Sequence, residues 1–96
     1  MFLLNFTVTF NSHREKVFGS NKALNKRLKV TLIKLATNPT HPSLHSHKVS
    51  TLTHGQRWSS SVTGDIRIIW DYDSKNRLII LLLDIGSHSG THKVYK

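Results

Sequence analysis

The chain has 96 residues, 38% of them hydrophobic, with 14 Lys or Arg against 5 Asp or Glu, a formal charge of +9 and no cysteine. That length suits one small domain spanning residues 1–96 rather than two independent cores, and it excludes large scaffolds such as a TIM barrel at roughly 250 residues. Without cysteine there are no disulfides, thiolate nucleophiles or thiolate metal sites, which fits a cytoplasmic setting.

The opening Met1-Phe2-Leu3-Leu4 is apolar but has no preceding positive charge and no small-residue cleavage pattern, so an export signal is not expected. From Leu3 to Phe10, Phe6, Val8 and Phe10 alternate with Asn5, Thr7 and Thr9, and this period of two predicts a strand. Asn11 or Ser12 then suits a helix cap, with Glu15 in the first turn. After Gly19, Ser20 or Asn21 can cap a second helix running to Leu35. Its Leu24, Leu28, Leu32 and Leu35 fall on one helical face, Val30 and Ile33 widen the apolar surface, and Lys22, Lys26, Lys29 and Lys34 lie largely off it. Asn38-Pro39 ends this helix, because proline lacks the amide donor and clashes with the preceding turn.

A loop follows from Pro39 to Pro42, then a histidine-rich stretch in which Lys48–Leu52 can form a short strand. Trp58–Val62 and Ile66–Tyr72 predict two strands joined by Thr63-Gly64-Asp65, with Gly64 suited to a tight hairpin. Asp73-Ser74-Lys75-Asn76 is a second turn, and Arg77–Ile85 a third strand. The unbroken apolar run Leu78–Leu83 marks that strand as central and heavily buried. It is also far below the roughly 18 residues of a spanning helix, so no membrane partner is expected. The remaining tail is polar apart from Val94 and Tyr95. Packing the leucine stripe across the strands buries both apolar surfaces at once, which predicts an α+β domain with N-terminal helices on one face of a small, mostly antiparallel sheet. The other face stays partly open for a partner or substrate.

Charge is uneven along the chain. Residues 1–64 hold nine Lys or Arg and one acid, whereas residues 65–96 hold five against four. A basic half on so small a body suggests a polyanion or an acidic protein as partner. The histidines form no recognised metal signature: His41, His45 and His47 are close, as are His88 and His92, but zinc wants three or four arranged ligands. No phosphate loop or nucleophile elbow is present, and no cofactor is expected. The remaining inventory suits metal-independent RNA cleavage. Attack by the 2′-hydroxyl needs a base, an acid and cations for phosphate charge, which His, Arg and Lys supply near neutrality.

The segments His47-Lys48-Val49-Ser50, Gly55, Trp58-Ser59-Ser60-Ser61-Val62, Asp65-Ile66-Arg67-Ile68-Ile69-Trp70 and Leu83-Asp84-Ile85-Gly86-Ser87-His88 resemble, in order and spacing, the RelE/ParE toxin superfamily. The resemblance is greatest to its plasmid-stabilisation or mRNA-interferase branch, which includes YafQ-like toxins, and it covers nearly the whole chain. It implies a RelE-like fold with helices against a mostly antiparallel sheet, and it leaves open an earlier first boundary, with the strand ending near Thr7 and the helix starting near Thr9. Interferase members cut mRNA on the ribosome and are held inactive by a cognate antitoxin, here expected to be acidic. The ParE branch instead poisons DNA gyrase, and a member can also keep the fold as an inactive binding module.

Carried over residue by residue, the resemblance implies that His88 acts in acid–base catalysis. Arg67 and Lys48 would stabilise or bind the phosphate, with His92 or Tyr95 assisting. Asp65 would orient a cation or a histidine, although turn formation is the simpler account of it. Trp58 reads first as a packing residue and second as a base-stacking one. His47 and Arg57 join Asp65 and Trp58 as supporting or RNA-binding candidates. The tail departs from the family pattern. Gly86-Ser87-His88 keeps the expected distance from the strand, but His92 stands where an aromatic is usual, and Tyr95 follows a second Gly90-Thr91-His92.

Overall fold

The computed structural model describes residues 1–87. Two α-helices pack on a five-stranded sheet whose order is β1-β5-β4-β3-β2. The strands are β1 (Leu3–Phe6), β2 (His47–Ser50), β3 (Gln56–Ser61), β4 (Ile66–Tyr72) and β5 (Ile79–Ser87), and the helices are α1 (Val8–Phe18) and α2 (Lys22–Thr37). β1 pairs parallel with β5, and all other pairings are antiparallel. The α+β architecture is therefore the one expected.

The first strand is shorter than its alternation predicts. Thr7 ends it by donating its hydroxyl to the Leu82 carbonyl at 2.7 Å, and the same oxygen accepts the Phe10 amide as the N-cap of α1. A period-two pattern thus continues into a helix. Val8 becomes an exposed first-turn residue, while Phe10 is fully buried. Asn11 and Ser12 lie inside α1 rather than capping it. Gly19, at φ 51°, closes α1 where a residue with a Cβ would be strained.

Asn21 caps α2 by accepting the Leu24 amide at 3.0 Å. Leu28 and Leu35 are buried, and Leu24 and Leu32 pack against the core at its margin. Val30 and Ile33 do not widen the buried stripe: they are 48% and 56% exposed, on the side of α2 turned from the sheet. Asn38 ends the helix, its amide bonded to the Lys34 carbonyl.

The core joins Phe10, Phe18, Leu28 and Leu35 of the helices to Ile68, Trp70, Ile80, Leu82 and Ile85 of the central strands. The third predicted strand is central, flanked by β1 and β4, but starts at Ile79 and runs to Ser87. Its apolar run is not uniformly covered. Ile80 and Leu82 are fully buried, Ile79, Leu81 and Leu83 are half-buried, and Leu78 is exposed before the strand begins. On the helix side, Trp58 stacks on Trp70 with ring centroids 5.6 Å apart. The buried Trp70 indole donates to Ser60 Oγ at 2.8 Å, so its polar atom is satisfied within the core.

Candidate active site on the second face of the sheet

Alternation along a strand sends successive side chains to opposite faces, so the register separates two sets of residues. Lys48, Trp58, Trp70 and Leu82 align across four strands on the helix side. His47, Ser59, Ile69 and Asp84 align on the other, and so do Ser61 and Arg67. Arg57 joins this second face, where its guanidinium meets Asp71 at 3.0 Å. This second face therefore carries Arg67 towards one end, Arg57 towards the other, and His47 and Asp84 in the row between, with its centre buried at Ser59, Ile69 and Asp84.

Asp84 sits at an irregularity. Ile69 pairs with Asp84 but Trp70 pairs with Leu82, so Leu83 is skipped, a local bulge of the kind that re-aims side chains. The carboxylate is 5% exposed. A charge so buried must be compensated, and three donors meet it: His13 Nδ1 from α1 at 2.5 Å on Oδ1, His54 Nε2 from the β2–β3 loop at 3.1 Å on Oδ2, and the Ile85 amide at 2.8 Å. An imidazole that donates one ring nitrogen to the carboxylate has its second nitrogen, Nε2 in His13 and Nδ1 in His54, outside that bond.

The loop that brings His54 to Asp84 is itself braced. Thr51 donates its hydroxyl to the Gly55 carbonyl at 2.8 Å and accepts the His54 amide at 2.9 Å, while Arg57 Nε donates to the His54 carbonyl at 2.9 Å. Gly55 takes φ 72°, the left-handed conformation that favours glycine. Ile69, in the middle of this face, has no exposed surface.

A second feature lies where β3 ends and β4 begins. An open cleft of about 540 Å³ is lined by Arg27, Ser43, His45, His47, Thr63 and Arg67, among others. Both arginines brace the hairpin: Arg67 Nη1 donates to the Thr63 carbonyl at 2.7 Å, and Arg27 Nη2 to the Val62 carbonyl at 3.3 Å. β5 ends beside them, with Gly86 opposite Arg67 and Ser87 opposite Ile66. The cleft can hold an anion, since two guanidiniums retain donors beyond the carbonyls they brace.

Of the residues singled out in the sequence, Arg67, His47 and Arg57 share this second face. Lys48 does not. Its ammonium lies over the Trp58 ring at 5.2 Å from the centroid, on the opposite side of the sheet from Arg67. The expected phosphate clamp of Lys48 with Arg67 is therefore not assembled, because the strand period sends them apart. Trp58 packs on Trp70, and Asp65 is exposed in the hairpin, its amide bonded to Thr63 Oγ1. His88, His92 and Tyr95 lie outside the described residues.

The cluster around Asp84 was not singled out, although one signal pointed to it. An acid inside a buried apolar strand needs donors, and this chain has seven histidines to supply them. Among the described residues, no three His, Asp or Glu side chains are arranged to hold a metal ion. Consistent with this, the two imidazoles approach opposite oxygens of Asp84.

No protein-family model matches the chain, and no curated protein matches it. Solved structures do. YafQ from Escherichia coli strain BL21(DE3) superposes with a TM-score of 0.67 at 16% identity, covering 91% of this chain and 93% of its own. The conserved hypothetical protein HP0894 from Helicobacter pylori gives 0.65 at 20% identity, covering 92% and 96%. The toxin–antitoxin complex RelBE2 from Mycobacterium tuberculosis gives 0.50 at 13%, covering 88% and 94%. Identities this low establish architecture rather than activity. The chain has the fold of YafQ and HP0894.

Proposed function

We propose that this protein is the toxin of a type II toxin–antitoxin pair and cuts mRNA on the ribosome without a metal. The observation that carries the reading is one sheet face on which Arg57, His47 and Arg67 all lie, in a fold shared with YafQ. Cations at both ends of this face suit a strand of RNA lying across it, held through its phosphates. In the reaction, a base removes the ribose 2′-hydroxyl proton, O2′ attacks the adjacent phosphorus, and the P–O5′ bond breaks as an acid protonates O5′. Arg67 offsets the charge that builds on the phosphate oxygens. His88 is proposed as an acid–base residue, since it follows Ser87 in the chain and Ser87 pairs with Ile66, the neighbour of Arg67. His92 or Tyr95 assists it.

A chain this small can use the ribosome as most of its substrate cleft, and the reading places it in the cytoplasm with that partner. No described helix is long and apolar enough to cross a membrane. An acidic antitoxin is the second proposed partner. The excess of cations in residues 1–64 favours an acidic, partly disordered segment, and a toxin–antitoxin complex is among the structures with this fold. The test is to map cuts in mRNA incubated with the protein, with and without ribosomes. Cuts confined to ribosome-bound message support the reading. Stabilised gyrase–DNA cleavage complexes with intact message would assign the protein to the other branch.

A further inference from the structure

We propose that His54, His13 and Asp84 form an acid–base centre for RNA phosphodiester cleavage, with the two histidines as proton-transfer residues and Asp84 as the residue that positions them. This rests on the ribonuclease reading and gives its two proton transfers to His54 and His13 in place of His88, an assignment that the variants below test separately from the activity itself. Metal-free cleavage needs a base, an acid and a cation close together. Around Asp84 the fold brings histidines from α1 and the β2–β3 loop together, with Arg57 bonded to that loop, a grouping that spacing in the sequence does not reveal. Asp84 holds one ring nitrogen of each histidine through its two oxygens, which fixes their orientation as a carboxylate fixes the imidazole of a catalytic triad. The side chains of His54 and His13 are 21% and 41% exposed, so neither imidazole is sealed in the core.

Arg57 completes the set. Its side chain is 40% exposed, and its bond to the His54 carbonyl ties the phosphate-binding cation to the loop that carries the base. In the step, neutral His54 takes the 2′-hydroxyl proton on Nδ1 as O2′ bonds to phosphorus. The P–O5′ bond breaks, and protonated His13 gives a proton from Nε2 to O5′. The products are a 2′,3′-cyclic phosphate and a 5′-hydroxyl, with one proton gained and one lost by the pair. Asp84 stays ionised throughout and stabilises whichever imidazolium is present.

A purely structural role for the cluster makes a different prediction. His54→Gln keeps an amide N–H for Asp84 but has no basic nitrogen, so it preserves the loop anchor and removes the base. The experiment measures ribosome-dependent mRNA cleavage by the full chain, His54→Gln, His54→Ala and Asp84→Asn, below the unfolding temperature of each. The proposal expects His54→Gln to lose at least about 100-fold in kcat, and added imidazole to restore part of the activity of His54→Ala. For Asp84→Asn it expects a fall in kcat with KM within about threefold, the signature of an effect confined to the transition state. Cleavage by folded His54→Gln within about threefold of wild type overturns the centre and leaves the ribonuclease reading standing. No cleavage by wild type overturns both.

Discussion

Replacing Asp84 by Asn removes the charge and turns one of its two side-chain acceptors into a donor. One imidazole then faces an N–H where it had an oxygen. A hydrogen bond to an ionised group contributes about 1.5–3 kcal/mol net, and two such bonds reach Asp84 from side chains, from His13 and His54. His13 is 41% exposed and can regain water in part, whereas His54, at 21%, has less access to it. The loss should therefore lie in the middle of that range, about 2 kcal/mol, with the bond from the Ile85 amide retained. For a domain of this size that lowers Tm by roughly 8–16 °C. Urea and thermal unfolding of wild type and Asp84→Asn measure it directly. A difference below about 0.5 kcal/mol, the range of an ordinary surface substitution, would show that the carboxylate does not hold the two histidines in solution.

Other expectations follow from the core and the two faces. Ser60→Ala strands the buried Trp70 indole donor and should cost about 1–3 kcal/mol in unfolding free energy. Leu35→Ala opens a cavity at a fully buried position and should cost about 2–5 kcal/mol, whereas Val30→Ala, at an exposed position of the same helix, should stay within about 0.5 kcal/mol. In ribosome-dependent cleavage assays, Arg67→Ala should reduce the rate by about 100-fold or more. Lys48→Ala should change it by less than about tenfold, since its ammonium lies on the opposite side of the sheet.

The fold was legible wherever periodicity and local chemistry agreed. The leucine stripe of α2, the Asn21 cap and the β3–β4 hairpin all point to the same elements in sequence and in structure, although Gly64 does not take the positive φ that would call for glycine there. Periodicity misled at Val8 and Phe10, because Thr7 is both a good strand residue and a good N-cap, and its tertiary bond to Leu82 decides between them. Lys48 and Arg67 could be ranked by residue type but not by face. Three positions separate Trp58, the partner of Lys48, from Ser61, the partner of Arg67, and this odd offset puts them on opposite sides. The Asp84 cluster was hidden by distance, since its histidines lie 71 and 30 residues away along the chain. Only the fold brings α1, the β2–β3 loop and β5 to one point. A register slip at Leu83 adds what no pattern of alternation predicts.

End-group chemistry of cut mRNA tests the central claim most directly. Message incubated with ribosomes and this protein is sequenced from its cut sites, and the termini are identified by mass spectrometry. Attack by the 2′-hydroxyl predicts 2′,3′-cyclic phosphate or its hydrolysed 3′-phosphate on one fragment, with 5′-hydroxyl on the other. Cut sites bearing 5′-phosphate, or message left intact, would contradict it.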